Sequence, residues 1–156
     1  MTSRTREALL AHGIQPSAQR LAVAEVVLGT DRHPSADEVH TAARHKLPTL
    51  SRATVYNTLN LFVAKGLLRA LTVTSGRVVF DPLTTPHHHF VDEASGRIYD
   101  LPWNALEVRH VEQLEGFEVH DYQVVVRGRR RGPKSAPPAT GRGERGVSST
   151  SPSSKR

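Results

Sequence analysis

Apolar residues recur at helical spacing through the first 65 positions, and at every second position in the stretch that follows. A short helix is expected over Arg4–His12, stopping near Gly13. Ser17 is placed to cap a second helix, in which Leu21, Val23, Ala24, Val27 and Leu28 supply a core face. Ser35-Ala36-Asp37-Glu38 has capping-box form, a hydroxyl followed three residues later by a glutamate, and opens a third helix to about Lys46, before Pro48. Ser51 caps a fourth, Arg52–Lys65, with Val55, Leu59, Phe62 and Val63 on its apolar side and Gly66 ending it.

The alternating stretch contains Leu68–Thr74 and Arg77–Phe80 around a turn at Ser75-Gly76, the pattern of a β-hairpin. Helices followed by a two-stranded ribbon are the order of a winged helix-turn-helix, whose fourth helix would enter the DNA major groove while the ribbon flanks the backbone. An ordinary helical core satisfies the same pattern, and topology alone divides the two readings evenly. Beyond Pro82, hinge-like Leu83-Thr84-Thr85-Pro86 leads to expected strands at His88–Val91 and Arg97–Leu101, a helix over Trp103–Leu114 and a third strand within Val119–Arg127. The expected fold class is α+β. Residues 1–80 form an N-terminal winged helix-turn-helix domain, 81–86 a hinge and 87–128 a small C-terminal α/β dimerisation domain. That last unit is small for an independent core, so burial against a second copy is expected, giving a homodimer. From Arg129 the chain is Gly, Pro, Ser and Arg with Val147 its only large aliphatic, a disordered basic tail.

Charge divides along the same boundaries. The overall +6 resolves into +5 for residues 1–80, −6 for 81–128 and +7 for 129–156. A basic front half suits a polyanion such as double-stranded DNA, and an acidic middle suits a cation. The chain has no cysteine, which excludes disulfides, zinc fingers and thiol catalysis. No apolar run reaches membrane-spanning length, so a cytoplasmic protein without membrane attachment is expected.

The richest chemistry lies in Pro86-His87-His88-His89-Phe90, with Asp81 six residues before His87 and Asp100 eleven after His89. On an extended strand, His87 and His89 face one point while His88 looks away. Two imidazoles with one or two carboxylates suit Fe(II), Mn(II) or Zn(II). A solvated His-rich loop is the blander reading. A metallohydrolase using the His-x-His site is another, but its only candidate base is Glu93, in a turn. No catalytic residue is therefore assigned, and an enzyme is not expected.

At this point the chain resembles the ferric uptake regulator family of metal-dependent repressors, over about residues 8–128. The carriers are Ser51-Arg52-Ala53-Thr54-Val55-Tyr56-Asn57-Thr58-Leu59, Arg32-His33-Pro34-Ser35-Ala36-Asp37-Glu38-Val39, the His-rich segment, and Gly96-Arg97-Ile98-Tyr99-Asp100. The resemblance implies a regulatory metal site of His33, Asp81, His87, His89 and Asp100. Aspartate at position 100 suggests the peroxide-sensing branch over the iron-sensing one. It also implies a DNA-reading fourth helix with Thr54, Tyr56 and Asn57 at bases or phosphates, and Arg20 and Arg52 on phosphates. A metal joining both domains would fix the angle that sets two recognition helices in successive major grooves.

Three departures from the family qualify these expectations. The family's structural zinc uses two Cys-x-x-Cys pairs, but Val91-Asp92-Glu93-Ala94 stands at the first and the Arg/Gly-rich tail at the second, so no structural zinc held by four cysteines is expected. The family's additional metal site retains His88 and Glu107, with Pro86 and Tyr122 at its other places and His120 nearby. Gln15 replaces a basic residue often used in the minor groove. Similarity to iron-responsive regulators of rhizobial type, which also lack these thiols, leaves a haem-responsive regulator of the same fold as an alternative.

Overall fold

A computed structural model describes residues 2–73 and 76–132. Four helices come first: α1 Thr2–Ala11, α2 Ala18–Leu28, α3 Ala36–Arg44 and α4 Arg52–Ala64. A two-stranded antiparallel ribbon follows, β1 Arg69–Thr72 with β2 Val78–Asp81. A second sheet has the order β4-β3-β5, from β3 His87–Asp92, β4 Ile98–Pro102 and β5 Val125–Gly128. The β3–β4 pair is antiparallel and the β3–β5 pair parallel.

Local chemistry sets the helix ends. Ser17 and Ser51 accept the backbone N–H of Arg20 and Thr54, and Ser35 with Glu38 closes a full capping box. Each such cap stabilises a helix by about 1 kcal/mol. Gly13 and Gly66 stop α1 and α4 at φ +68° and +73°, where a side chain would be strained. Leu9, Ile14, Val23, Val27, Val39, Val55, Leu59 and Phe62 form the helical core, each at most 2% exposed. The Phe80 N–H donates to the Pro34 carbonyl (2.9 Å), which ties the segment before α3 to the ribbon.

The second sheet has little core of its own. Its buried Val91 and Ile98, with half-buried Val125, pack on Leu71, Val73 and Val79 of the ribbon. An Arg69–Asp121 ion pair and an Arg97–Asp31 contact of 3.8 Å also cross between the two units.

Two expected elements differ. The helix over Trp103–Leu114 is absent; only 3-10 turns at Trp103–Ala105 and Val111–Gln113 form, with Leu106 extended and His110 left-handed at φ 64°. Pro102 at its start offers no side-chain cap, and Leu114 remains 51% exposed. A short amphipathic helix draws most of its stability from packing, and the single chain only partly covers the apolar residues of this one. The strand expected within Val119–Arg127 is only Val125–Gly128. The register pairs His89 with Val125, so residues 119–122 run past the start of β3 and find no ladder partner. Thr74 and Ser75 of the expected turn, and the tail beyond residue 132, lie outside the described residues.

Where the family carries cysteines, a carboxylate closes the β3–β4 turn. Asp92 Oδ2 accepts the Ser95 hydroxyl (2.6 Å), while Oδ1 accepts the backbone N–H groups of Ala94 (3.2 Å) and Arg130 (3.3 Å). The guanidiniums of Arg97 and Arg130 lie over the Tyr99 ring, 5.1 and 4.9 Å from its centroid. The Ser95 hydroxyl and these amides hold the Asp92 pKa below its ordinary value, against a smaller opposing effect of burial. A depressed pKa contributes stability above the unfolded-state value, which is lost as pH falls through the folded value. Asp92→Asn should therefore lower the melting temperature by several degrees at neutral pH, with the gap to wild type closing as the solution is made acidic. A variant that melts with wild type at pH 7 would show that the turn holds without the charge.

Candidate metal centre

Five side chains from four parts of the chain meet at the hinge. His33 comes from the segment before α3, Asp81 ends β2, His87 and His89 alternate along β3, and Asp100 sits on β4 directly opposite His89. One ligand atom from each lies within 4.8 Å of all the others. His33, Asp81, His87 and His89 are buried, and Asp100 is the exposed member.

The donor set is short of a cation. Asp81 Oδ1 accepts the Leu83 N–H (2.8 Å), which leaves Oδ2 pointing into the cage. Oδ2 lies 2.8 Å from His87 Nε2, 3.1 Å from His89 Nε2 and 3.2 Å from His33 Nε2. Asp100 Oδ1 lies 2.9 Å from His33 Nε2, and the Nε2 atoms of His87 and His89 are 3.0 Å apart. The Thr85 carbonyl can only accept, so the His87 Nδ1 that sits 2.8 Å from it carries the proton. In neutral His87, Nε2 then offers a lone pair to the centre, the orientation a ligating imidazole needs. Lone pairs of three imidazoles and two carboxylates so close together repel unless protons or a metal ion lie among them. His33 Nε2, near both carboxylates but out of line for a hydrogen bond, is buried without one, as are Nδ1 of His33 and of His89. These residues fit a nitrogen- and oxygen-liganded divalent ion.

Without metal, the two carboxylates favour a proton on His33, which meets part of that requirement. Burial pushes the His33 pKa down, but the contact and charge of Asp81, followed by Asp100, outweigh it and raise the pKa above the ordinary value. Burial pushes the Asp81 carboxyl up, and contacts with His33, His89 and the Leu83 N–H hold it far below the usual carboxylate range.

The other candidates are placed differently. His88 is 1% exposed on the opposite face of β3, stacked on Trp103 at 4.5 Å, and its Nδ1 accepts the Val124 N–H (3.2 Å). Glu107 pairs with Arg109 (2.9 Å), and exposed His120 sits 3.9 Å from Glu118. The structure does not bring His88, Glu107 and His120 together, and the five-residue cage is the only such cluster among the described residues.

On the outer side of α4, Tyr56 is 43% exposed and Asn57 is exposed beside it. Thr54 shares a hydrogen bond with Ser51 (2.8 Å). Arg52 makes only an exposed 3.4 Å contact with Asp37, a pairing weak enough to exchange for phosphate. Arg20 is half-buried and donates to the Gln15 carbonyl (2.7 Å).

A winged-helix head, hinged to a small three-stranded unit by a cage of three buried histidines and two aspartates, is the architecture of a metal-responsive DNA-binding regulator. The chain belongs to the ferric uptake regulator family, whose model matches residues 11–127. It is 35% identical over 126 residues to the peroxide operon regulator of Bacillus subtilis, covering 78% of this chain and 86% of that one. It is 32% identical over 120 residues to the peroxide-responsive repressor PerR of Staphylococcus epidermidis, covering 74% and 79%. Among solved structures, it matches a ferric uptake regulator from Pseudomonas aeruginosa with manganese at TM-score 0.63 and 26% identity, covering 82% of this chain and 98% of that one. The Campylobacter jejuni peroxide stress regulator matches at TM-score 0.62 and 25% identity, covering 83% and 96%.

Proposed function

We propose that this chain is a metal-dependent repressor, in which Fe(II) or Mn(II) held by His33, Asp81, His87, His89 and Asp100 fixes the angle between the DNA-binding head and the second unit. The observation that carries this is the meeting of lone pairs from both units at one buried point. Zn(II) fits the same donors, but nothing in the set pulls towards a soft ion, because there is no thiolate. The bound ion supplies Lewis acidity and, when it is ferrous iron, the capacity to reduce peroxide. The protein's part is to present Nε2 atoms in the right tautomer, bury them, and make the cage complete only when the two units are correctly angled. Metal and operator then bind cooperatively, because both favour one arrangement.

Double-stranded DNA is the ligand of α4, where Tyr56 and Asn57 stand exposed with Thr54 and Arg52 beside them and Arg20 placed for a phosphate. Tyr56→Ala should weaken binding to the operator about tenfold relative to random DNA, the scale of one lost base contact, with metal affinity unchanged. Equal losses on both DNAs would reduce Tyr56 to a general contact. A second copy of the chain supplies the other recognition helix. Exposed Trp103, Leu114 and Phe117 (77%) mark the apolar surface it would cover, and sedimentation at twice the chain mass tests this.

Among the described residues no helix is long and apolar enough to cross a membrane, in keeping with a cytoplasmic regulator. Glu93, the one base a hydrolase could use, is exposed on the β3–β4 turn and outside the cage. His87, His88 and His89, at 4%, 1% and 1% exposure, leave no open imidazole for haem. Operator binding measured before and after chelation tests the proposal, and specific binding unchanged by chelation overturns it.

A further inference from the structure

A second polar cleft adjoins the cage, with His33 on the wall they share. Arg32, Arg77 and Arg97 meet around a cavity of about 360 Å3, with Glu38, Ser95 and Gly96 also on its walls. The three arginines are far apart in sequence and belong to different bodies. Arg32 immediately precedes His33, Arg77 leads into β2 of the ribbon, and Arg97 follows the β3–β4 turn of the second unit.

Their charge is poorly matched. Glu38 Oε2 accepts Arg77 (3.0 Å) but is also committed to the Ser35 N–H (2.7 Å) in the cap of α3. Arg97, which lies over the Tyr99 ring, has Asp31 as its only carboxylate contact among the described residues, at 3.8 Å and with that side chain 86% exposed. The Arg32 guanidinium has no carboxylate partner among the described residues. Three guanidiniums thus face one occupied carboxylate, in a volume at the small end of the roughly 300–1,000 Å3 of metabolite sites. Forked N–H groups in a concave, positively charged setting select planar or tetrahedral oxyanions.

We propose that this cleft binds a small dianionic metabolite through carboxylate or phosphate oxygens, held by Arg32 and Arg77 on one side and Arg97 on the other. Such a ligand joins the same two bodies as the cage. Its affinity is therefore linked to their angle, and through that angle to metal and DNA. A DNA phosphate is the rival occupant. The cleft is walled on one side by Ser95, Gly96 and Arg97 of the second unit and by no residue of α4, which favours a free small molecule.

The test uses the full chain freed of metal by chelation, so its outcome does not depend on the metal reading. Thermal shift and calorimetry are run with sodium succinate and with inorganic phosphate, each against sodium chloride at equal ionic strength. Saturable one-to-one binding of either dianion is expected, succinate identifying a carboxylate ligand and phosphate a phosphorylated one. Arg97→Gln and Arg32→Gln should each weaken it about tenfold, the scale of one lost charge-assisted hydrogen bond. Both variants should keep the wild-type circular dichroism spectrum and metal-stimulated operator binding. No saturable effect beyond the chloride control overturns the proposal, as does wild-type affinity in Arg97→Gln. Loss of operator affinity in both variants with no dianion effect also overturns it, and assigns the cleft to the DNA backbone.

Discussion

His33→Ala should abolish the stimulation of operator binding by metal while leaving a folded protein. His33 is the one cage residue contributed from the helical part of the head, just before α3, so without it the cage holds the head only by Asp81 at the end of the ribbon. Its ring is buried, but its two nitrogens make no hydrogen bond that helical packing depends on. Truncation also removes a buried group whose raised pKa favours a proton in the metal-free state. Coupling between two ligands of one conformational equilibrium is typically about 5- to 150-fold in affinity. That whole factor should disappear, leaving the chelated wild-type value. Asp81→Ala should do the same from the hinge side, because Oδ2 is the atom shared by all three imidazoles. Metal stimulation surviving in His33→Ala would place the bridge elsewhere.

The second large effect concerns the signal. Loaded with Fe(II) and exposed briefly to hydrogen peroxide, the protein should gain one oxygen atom on the peptide containing His33 or His87, and release its operator. All three imidazoles present Nε2 within 3.2 Å of Asp81 Oδ2, so it is the resemblance to the peroxide-sensing branch, and not distance, that singles out His33 and His87. An oxidised ring is a poorer ligand, and the link between the units fails. Loading with Mn(II) should protect both the histidines and the DNA complex. With no cysteine in the chain, thiol oxidation cannot produce the same loss. Similarity to the peroxide operon regulator of Bacillus subtilis motivates the experiment. Unmodified histidines and unchanged DNA binding would make the protein a plain metal sensor.

Much of this architecture was legible from the sequence because local chemistry governs it. Ser17, Ser35 and Ser51 announce three helix starts by hydrogen bonds that span three residues, and period-two spacing alone puts His87 and His89 on one face with His88 on the other. His33 was different. It joins the cage through the Phe80–Pro34 backbone bond, a tertiary link invisible to spacing, and only family resemblance identified it. The failures share that cause. Leu106, Val111 and Leu114 have helical periodicity, yet the single chain only partly covers the first two and leaves Leu114 exposed, and the length of β5 is set by where β3 begins. The clasp made by Asp92 registered in the sequence only as missing thiols. The arginine cleft left no local trace, since positions 32, 77 and 97 meet only through the packing of ribbon against sheet.

The Asp92 clasp bears on how this regulator is supplied and handled. A turn closed by a carboxylate, a hydroxyl and two amides is complete when the chain folds, with no ion to be delivered first. Closing this turn therefore draws on no zinc. At the bench, a chelator strong enough to strip the hinge cage should leave the clasp in place, since hydrogen bonds and no ion close it. Metal titrations of this protein should then report occupancy of the cage without the unfolding that accompanies loss of a structural ion.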